Sequence, residues 1–213
     1  MAEDVRRFVH TTVQNETNGK QRRVHLLGHS MGGKVAMYFA LLPEGGELLQ
    51  SLIVEDIAPR VYEFSGQRSF ADYINAMKGV DLSKSRSEIG EDLSRTVTDM
   101  QTMQFLLMNL VKDERDSSRL RWKLNLDGIL SNLRELSGSS LPRDASFVGP
   151  CLFVSGGNST YCTSGDYVAI KRRFPQAVFE TIDGSGHWIH AEKPYEFLEV
   201  IQRFLLSVTQ RLE

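Results

Sequence analysis

The sequence is poor in cysteine, in charge of one sign and in long apolar runs. Its 213 residues include only Cys151 and Cys162, and two thiols without a metal-like spacing predict neither a disulfide nor a metal site. A net charge of -2 leaves no basic stripe, which argues against nucleic-acid binding. No apolar run approaches the roughly 18 residues that a membrane-spanning helix needs.

The first residues, Met-Ala-Glu-Asp, also lack the features of a leader. They are neither basic and apolar, as in a signal peptide, nor Arg-rich and acid-poor, as in a transit peptide. We therefore expect a soluble protein without a transmembrane segment, cytoplasmic if Met1 is the true start. With 41% hydrophobic and 24% charged residues, the composition is that of a globular protein, and the length fits one domain over 1–213.

The spacing of apolar residues indicates strands that alternate with helices. Helical spacing predicts helices over 2–14, 34–42 and 194–212, whereas short apolar runs predict strands at 24–27, 51–55, 151–154 and 178–182. Strands that alternate with helices form parallel sheets through right-handed crossovers. The predicted class is therefore α/β, with a parallel sheet flanked by helices.

A long segment separates the second predicted strand from the third. Residues 59–149 show helical patterns, for example over 70–77 and 91–110, and no convincing strand. Loops of this length without structure of their own are uncommon. We therefore expect a helical cap over 59–149, inserted into a core of 1–58 and 150–213, above the carboxyl ends of the strands, where ligands bind in such sheets.

Residues Gly28-His29-Ser30-Met31-Gly32 match the G-x-S-x-G pattern of a nucleophile elbow. The pattern is short, but its context is specific, because the elbow needs a strand directly before it and a helix directly after it. Both are predicted here. Glycines permit the strained turn that lifts a serine hydroxyl above the sheet, and the following helix presents its positive end to a developing anion. Ser30 is thus the candidate nucleophile.

A candidate base follows the fourth predicted strand, in Gly186-His187-Trp188. A histidine in this loop can reach a serine above the sheet, in the chain order serine, acid, histidine. His187 is therefore the candidate base, whereas His190 is expected to cap or line the next helix. Histidines 10, 25 and 29 are expected to pack or face solvent, although His29 lies inside the elbow and can shape the pocket.

The acid that would orient His187 is less clearly marked. The loop after the third predicted strand reads Gly156-Gly157-Asn158-Ser159-Thr160, with Ser159 where a carboxylate is usual. A serine cannot offset the charge of an imidazolium ion. Asp56, at the end of the second strand, is the first candidate, and Asp127 in the cap and Asp166 are the alternatives.

Five motifs occur in a characteristic order over nearly the whole chain. They are Gly-His-Ser-Met-Gly-Gly-Lys (28–34), Glu-Asp-Ile-Ala-Pro (55–59), Asn-Leu-Asp (125–127), Gly-Gly-Asn-Ser (156–159) and Gly-His-Trp-Ile-His (186–190). The chain resembles the short-chain esterase branch of the α/β-hydrolase superfamily. The resemblance implies a serine hydrolase that cleaves small acyl esters, with Asp56 as the acid and Ser159 as an auxiliary serine, and nothing in the sequence suggests a cofactor. It also implies a mitochondrial location and a link to lipoylated dehydrogenase complexes.

The chain departs from the family pattern upstream of the elbow. Family members place about four strands before the elbow strand, with a His-Gly loop that supplies half of the oxyanion hole, whereas 23 residues precede Val24 here. We therefore expect a partial fold that lacks these strands and retains the Met31 N–H as its oxyanion donor. The alternative function is that of a catalytically impaired, truncated product that binds a partner or has no activity.

Overall fold

The computed structural model describes residues 1–14, 22–62, 70–138, 141–142 and 144–210. The chain forms two compact units, of which the first comprises Met1–Arg60 with Ser139–Glu213 and the second Val61–Gly138. The second unit falls within the segment 59–149 that the sequence assigns to an insertion.

The described residues form two sheets. Their strands are β1 Val24–His29, β2 Leu49–Glu55, β3 Leu110–Lys112, β4 Leu120–Trp122, β5 Cys151–Gly156 and β6 Ala177–Ile182. The first unit contains a four-stranded sheet in the order β1-β2-β5-β6, and every neighbouring pair in it is parallel. The predicted α/β class is therefore confirmed.

The first unit contains helices at the three predicted positions and, among the described residues, three further α-helices that were not predicted. Its helices are α1 Ala2–Phe8, continued by a π-helix over Val9–Gln14, then α2 Met31–Ala40, α3 Pro43–Leu48, α9 Tyr167–Arg173, α10 Ile189–Glu192 and α11 Pro194–Gln210, of which α3, α9 and α10 are the three further ones. Pro43, predicted to stop a helix, also begins α3, at a position where its missing N–H costs no bond. The last residues of the predicted helix 194–212 lie outside the described part of the chain. Within that part, no helix combines the length and the apolar character needed to cross a bilayer.

Packing of the first unit centres on the two inner strands. Ile53 of β2 and Leu152 of β5 are almost fully buried, and they belong to one cluster with Phe204 and Val208 of α11. A parallel sheet covered by helices has strands that are apolar along their whole length, which explains the continuous runs 51–54 and 151–154. Burying one such side chain contributes about 1.5–3 kcal/mol.

The second unit contains helices and a small antiparallel sheet. Its helices are α4 Phe70–Gly79, α5 Arg86–Ser94, α6 Met100–Leu107, α7 Leu126–Ser131 and α8 Leu133–Ser137, and β3 pairs with β4. The segment is therefore largely helical, as expected, but it also contains two short strands that were not expected. Strands of three residues are too short to show an alternating pattern.

The predicted helix over 91–110 is wrong in its extent. The chain leaves α5 after Ser94 and starts α6 at Met100, where the Asp99 carboxylate accepts the Thr102 N–H as an N-cap. Leu110 continues the apolar spacing of the helix but is fully buried as the first residue of β3. The sequence pattern alone does not distinguish these two environments.

Strand direction brings the candidate residues of the first unit to one edge of its sheet. Ser30 follows β1, Asp56 follows β2, Ser159 lies in the loop after β5, and His187 lies in the loop after β6. Because the four strands are parallel, their carboxyl ends meet at the same edge, which is where open α/β sheets bind ligands.

Candidate active site

Ser30 forms the turn between β1 and α2. Its backbone angles are φ 53° and ψ -120°, in a region that residues other than glycine rarely adopt. The Ser30 N–H donates to the carbonyl oxygen of Glu55 at 3.0 Å, which ties the turn to β2. A strained serine between a strand and a helix is the geometry of a nucleophile elbow.

Two glycines of this turn are required by close packing, and a third is not. A Cβ on Gly28 would lie 2.3 Å from the carbonyl oxygen of Gly32, and one on Gly33 would lie 2.6 Å from Cγ2 of Ile57. A Cβ on Gly32 would have no heavy atom within 4 Å among the residues that the structure describes. The close approach of α2 to the sheet therefore depends on Gly28 and Gly33.

His187 connects Ser30 to Asp56. Its Nε2 lies 2.9 Å from Oγ of Ser30, and its Nδ1 lies 2.6 Å from Oδ2 of Asp56. An ionised carboxylate only accepts hydrogen bonds, so Nδ1 carries the proton and donates it to Asp56. The Nε2 lone pair is then available to accept the Ser30 hydroxyl proton, which is the orientation that a general base requires.

Asp56 is fully buried and accepts three hydrogen bonds. Oδ2 accepts from His187 Nδ1 and from the Ser159 hydroxyl, and Oδ1 accepts from the Gly156 N–H at 3.2 Å. The residue has a positive φ of 48°, and its own N–H donates to Val154 at 2.8 Å. Ser159 therefore supports the carboxylate from the loop in which the sequence shows no acid.

The two rival carboxylates have other partners. Asp127 belongs to the second unit, where its side chain is 81% exposed and pairs with Lys78. Asp166 pairs with Nε of Arg60 at 3.0 Å and closes a capping box with Thr163. The carboxylate that contacts His187 is that of Asp56.

Met31, the predicted oxyanion donor, is the first residue of α2. The first N–H groups of a helix have no acceptor within the helix, and they lie at the positive end of its dipole. The amide directly after the nucleophile is one of the two donors in elbows of this type.

Two residues that the sequence did not single out hold His187. The Glu192 carboxylate accepts hydrogen bonds from the backbone N–H groups of the two residues that flank His187, Gly186 at 2.7 Å and Trp188 at 3.1 Å. The ring of Tyr161 stacks on the imidazole, with ring centres 4.1 Å apart. For Glu192 the available signal was its position four residues after Trp188, the spacing of one helical turn.

The remaining histidines pair with nearby groups. His10 lies 2.6 Å from a carboxylate oxygen of Glu44, and His25 lies 2.7 Å from a serine hydroxyl on β2. Nε2 of His29 donates to the backbone carbonyl of His187 at 2.9 Å. His29 therefore ties the elbow strand to the loop that carries the base.

Burial shifts the pKa of several groups near the site. Burial is the main reason why the pKa of His29 is lowered. Burial, and then the charge of Arg60, lowers the pKa of Lys34 to about 8. Burial raises the pKa of the Cys162 thiol to about 12, and neighbouring carboxylates add to this effect. A thiol that stays protonated at neutral pH is a poor nucleophile.

The chain is similar to known hydrolases. The model of the alpha/beta hydrolase family matches residues 1–200. The sn-1-specific diacylglycerol lipase ABHD11 of Mus musculus is 38% identical over 84% of this chain, and a putative esterase/lipase of Haemophilus influenzae is 36% identical over 86% of it. The chain spans 58% and 60% of the length of these two relatives.

A solved structure extends the likeness to three dimensions. A marine microorganism esterase superposes with a TM-score of 0.82 at 35% identity, over 95% of this chain and 75% of that one. The resemblance drawn from the five motifs is therefore confirmed, and the chain belongs to the alpha/beta hydrolase family.

Proposed function

We propose that the chain is a serine hydrolase that cleaves carboxylic esters, with Ser30 as nucleophile, His187 as base and Asp56 as acid. The observation that carries the proposal is the continuous line of hydrogen bonds from Ser30 Oγ through both ring nitrogens of His187 to Asp56. The buried carboxylate of Asp56 fixes the His187 tautomer in which Nε2 is basic, and Nε2 can then accept the hydroxyl proton of Ser30.

The first half of the reaction acylates Ser30. As Oγ attacks the ester carbonyl carbon, Nε2 of His187 takes the hydroxyl proton, and Asp56 stabilises the resulting imidazolium ion. The carbonyl oxygen becomes an oxyanion, which the Met31 N–H and the positive end of α2 stabilise. The tetrahedral intermediate collapses when His187 returns the proton to the departing alcohol.

The second half of the reaction releases the acid. A water molecule gives a proton to His187 and attacks the acyl carbon, and the second tetrahedral intermediate expels Ser30, which recovers its proton from the ring. Water is the only co-reactant, so the reaction balances without a cofactor. We infer a small acyl ester as substrate, in keeping with the esterase and lipase names of the relatives. The mitochondrial location and the dehydrogenase-complex partner stay predictions.

Hydrolysis of p-nitrophenyl esters of increasing acyl length tests the proposal. We expect turnover by the chain, and a loss of at least about a thousandfold in kcat for Ser30→Ala and for His187→Ala, because the two groups act as one unit. His10→Ala is the matched control, since it breaks another histidine–carboxylate pair, and it should leave kcat unchanged. A folded protein that hydrolyses none of these esters would favour the impaired, binding alternative.

A further inference from the structure

A second cluster of ionisable side chains lies next to the serine and histidine of the proposed site. It consists of His29, Glu55 and His190, and one donor atom from each residue lies within 4.8 Å of those of the other two. His29 and Glu55 face each other in the register of β1 and β2. Glu55 is 1% exposed, so its carboxylate is a buried acceptor that needs a cationic or hydrogen-bonded partner.

The tautomer of His29 suits a metal ligand. A backbone carbonyl only accepts hydrogen bonds, so Nε2 of His29 must donate to His187. The neutral ring then carries its lone pair on Nδ1. Metal-binding histidines usually donate their other ring N–H to a carbonyl or carboxylate in this way, which fixes the ring and raises its basicity.

His190 and Glu55 form the other half of the cluster. Oε1 of Glu55 accepts from the backbone N–H of His190 at 3.0 Å and lies 2.8 Å from its Nδ1. The His190 side chain is 44% exposed, so an ion can reach the cluster from solvent. On binding, the ion would take the place of the proton that the pair shares, and that proton would leave to solvent.

We propose that His29, Glu55 and His190 form a binding site for a divalent zinc-type ion. Two imidazoles and one carboxylate are a common zinc donor set, with water in the fourth position, whereas calcium and magnesium prefer oxygen ligands alone. Tetrahedral zinc with bonds of about 2.0–2.2 Å places its ligand atoms about 3.3 Å apart. Donors within 4.8 Å of each other reach this spacing by side-chain rotation.

The ion would join three elements that meet beside the proposed catalytic residues. His29 precedes Ser30 on β1, Glu55 precedes Asp56 on β2, and His190 lies in α10, three residues after His187. Zinc would therefore stabilise the folded chain as a cross-link between the elbow strand and α10. Cysteine spacing predicts no metal site, and the three residues of this cluster are too distant in the chain to form a recognisable motif.

Zinc binding to the whole, chelator-treated chain tests the proposal without any activity assay. Equilibrium dialysis with Zn²⁺ should give one ion per chain, and Zn²⁺ should raise the melting temperature. His190→Ala should weaken binding at least tenfold and remove this rise, because it deletes an exposed ligand and leaves the core intact. His10→Ala, which alters a histidine–glutamate pair outside this cluster, should bind as the unaltered chain does.

Two results would overturn the proposal. The first is an unaltered chain that binds no zinc above background, and the second is binding by His190→Ala that equals that of the unaltered chain. If His187→Ala loses binding in the second case, the ion lies on the base and not on this cluster. Failure of ester hydrolysis changes none of these readings.

Discussion

Replacing Asp56 by asparagine should invert the tautomer of His187. The carboxylate accepts three donors, from Gly156, Ser159 and His187, and an amide offers one oxygen and one NH₂ group. If the amide oxygen faces the Gly156 N–H, the NH₂ group faces Nδ1 of His187. The opposite orientation points the NH₂ group at the Gly156 N–H, so that two donors face each other in a fully buried site.

The favoured orientation makes Nδ1 of His187 an acceptor and moves the ring proton to Nε2, opposite the Ser30 hydroxyl. The base then has no lone pair at the atom that must take the proton. Loss of the acid in this way costs about 10⁴-fold in kcat in a triad of this type, which corresponds to about 5 kcal/mol of transition-state stabilisation.

The assay is the hydrolysis of a p-nitrophenyl ester, with circular dichroism to show that Asp56→Asn is folded. Asp127→Asn is the matched control, because its carboxylate is mostly exposed and pairs with Lys78, and it should retain nearly full activity. Near-normal turnover by Asp56→Asn, or a larger loss in Asp127→Asn, would refute the assignment of the acid.

Three further predictions concern packing, positioning and pH. Gly33→Ala should lower the free energy of unfolding by about 1–3 kcal/mol in chemical denaturation because its Cβ overlaps a neighbour, whereas Gly32→Ala should leave it unchanged or raise it by up to about 1 kcal/mol; equal effects would contradict the packing argument. Glu192→Gln should lower kcat about ten- to a hundredfold with little change in KM, because one amide oxygen cannot hold both N–H groups beside the base; unchanged kcat would remove this positioning role. Burial raises the pKa of both thiols, Cys151 and Cys162, from 9.0 to about 12, so their contribution to stability is complete below pH 9 and is lost as the pH rises towards 12. Each thiol should add up to about 1.4 kcal/mol per pH unit to this loss, and the double Cys→Ala variant should show a flatter dependence of unfolding free energy on pH.

The parts of the fold that sequence predicts well are those with local patterns. β2 and β5 are buried on both faces and therefore give continuous apolar runs, and the elbow combines a strand, a glycine-rich turn and a helix within a few residues. β3 and β4 are three residues long and sit in a segment of helical spacing, so no periodicity distinguishes them. The prediction of where α6 ends is wrong for the same reason, because Leu110 would be an apolar residue both in a longer helix and in β3.

The residues of the candidate site also differ in how clearly the sequence marks them. Ser30 and His187 are marked by their immediate neighbours, and Asp56 is marked by its place at the end of a parallel strand. The hydrogen bonds of Glu192 to the His187 loop depend on the position of the short helix α10. The proximity of His29 to His190 depends on the sheet register and also on α10. The first contact is local, and the four-residue spacing from Trp188 to Glu192 was its one signal, whereas the second joins residues that are distant in the chain, for which a single sequence contains no pattern.

Covalent labelling of Ser30 tests the central claim most directly. The chain would be treated with a fluorophosphonate, and the adduct measured by intact mass and located by peptide mapping. We predict one adduct per chain, on Ser30, with no labelling of Ser30→Ala and at least a hundredfold slower labelling of His187→Ala, because the base must take the hydroxyl proton. An adduct on another residue, undiminished labelling of Ser30→Ala, or no labelling of the folded chain would contradict the assignment of Ser30 as nucleophile.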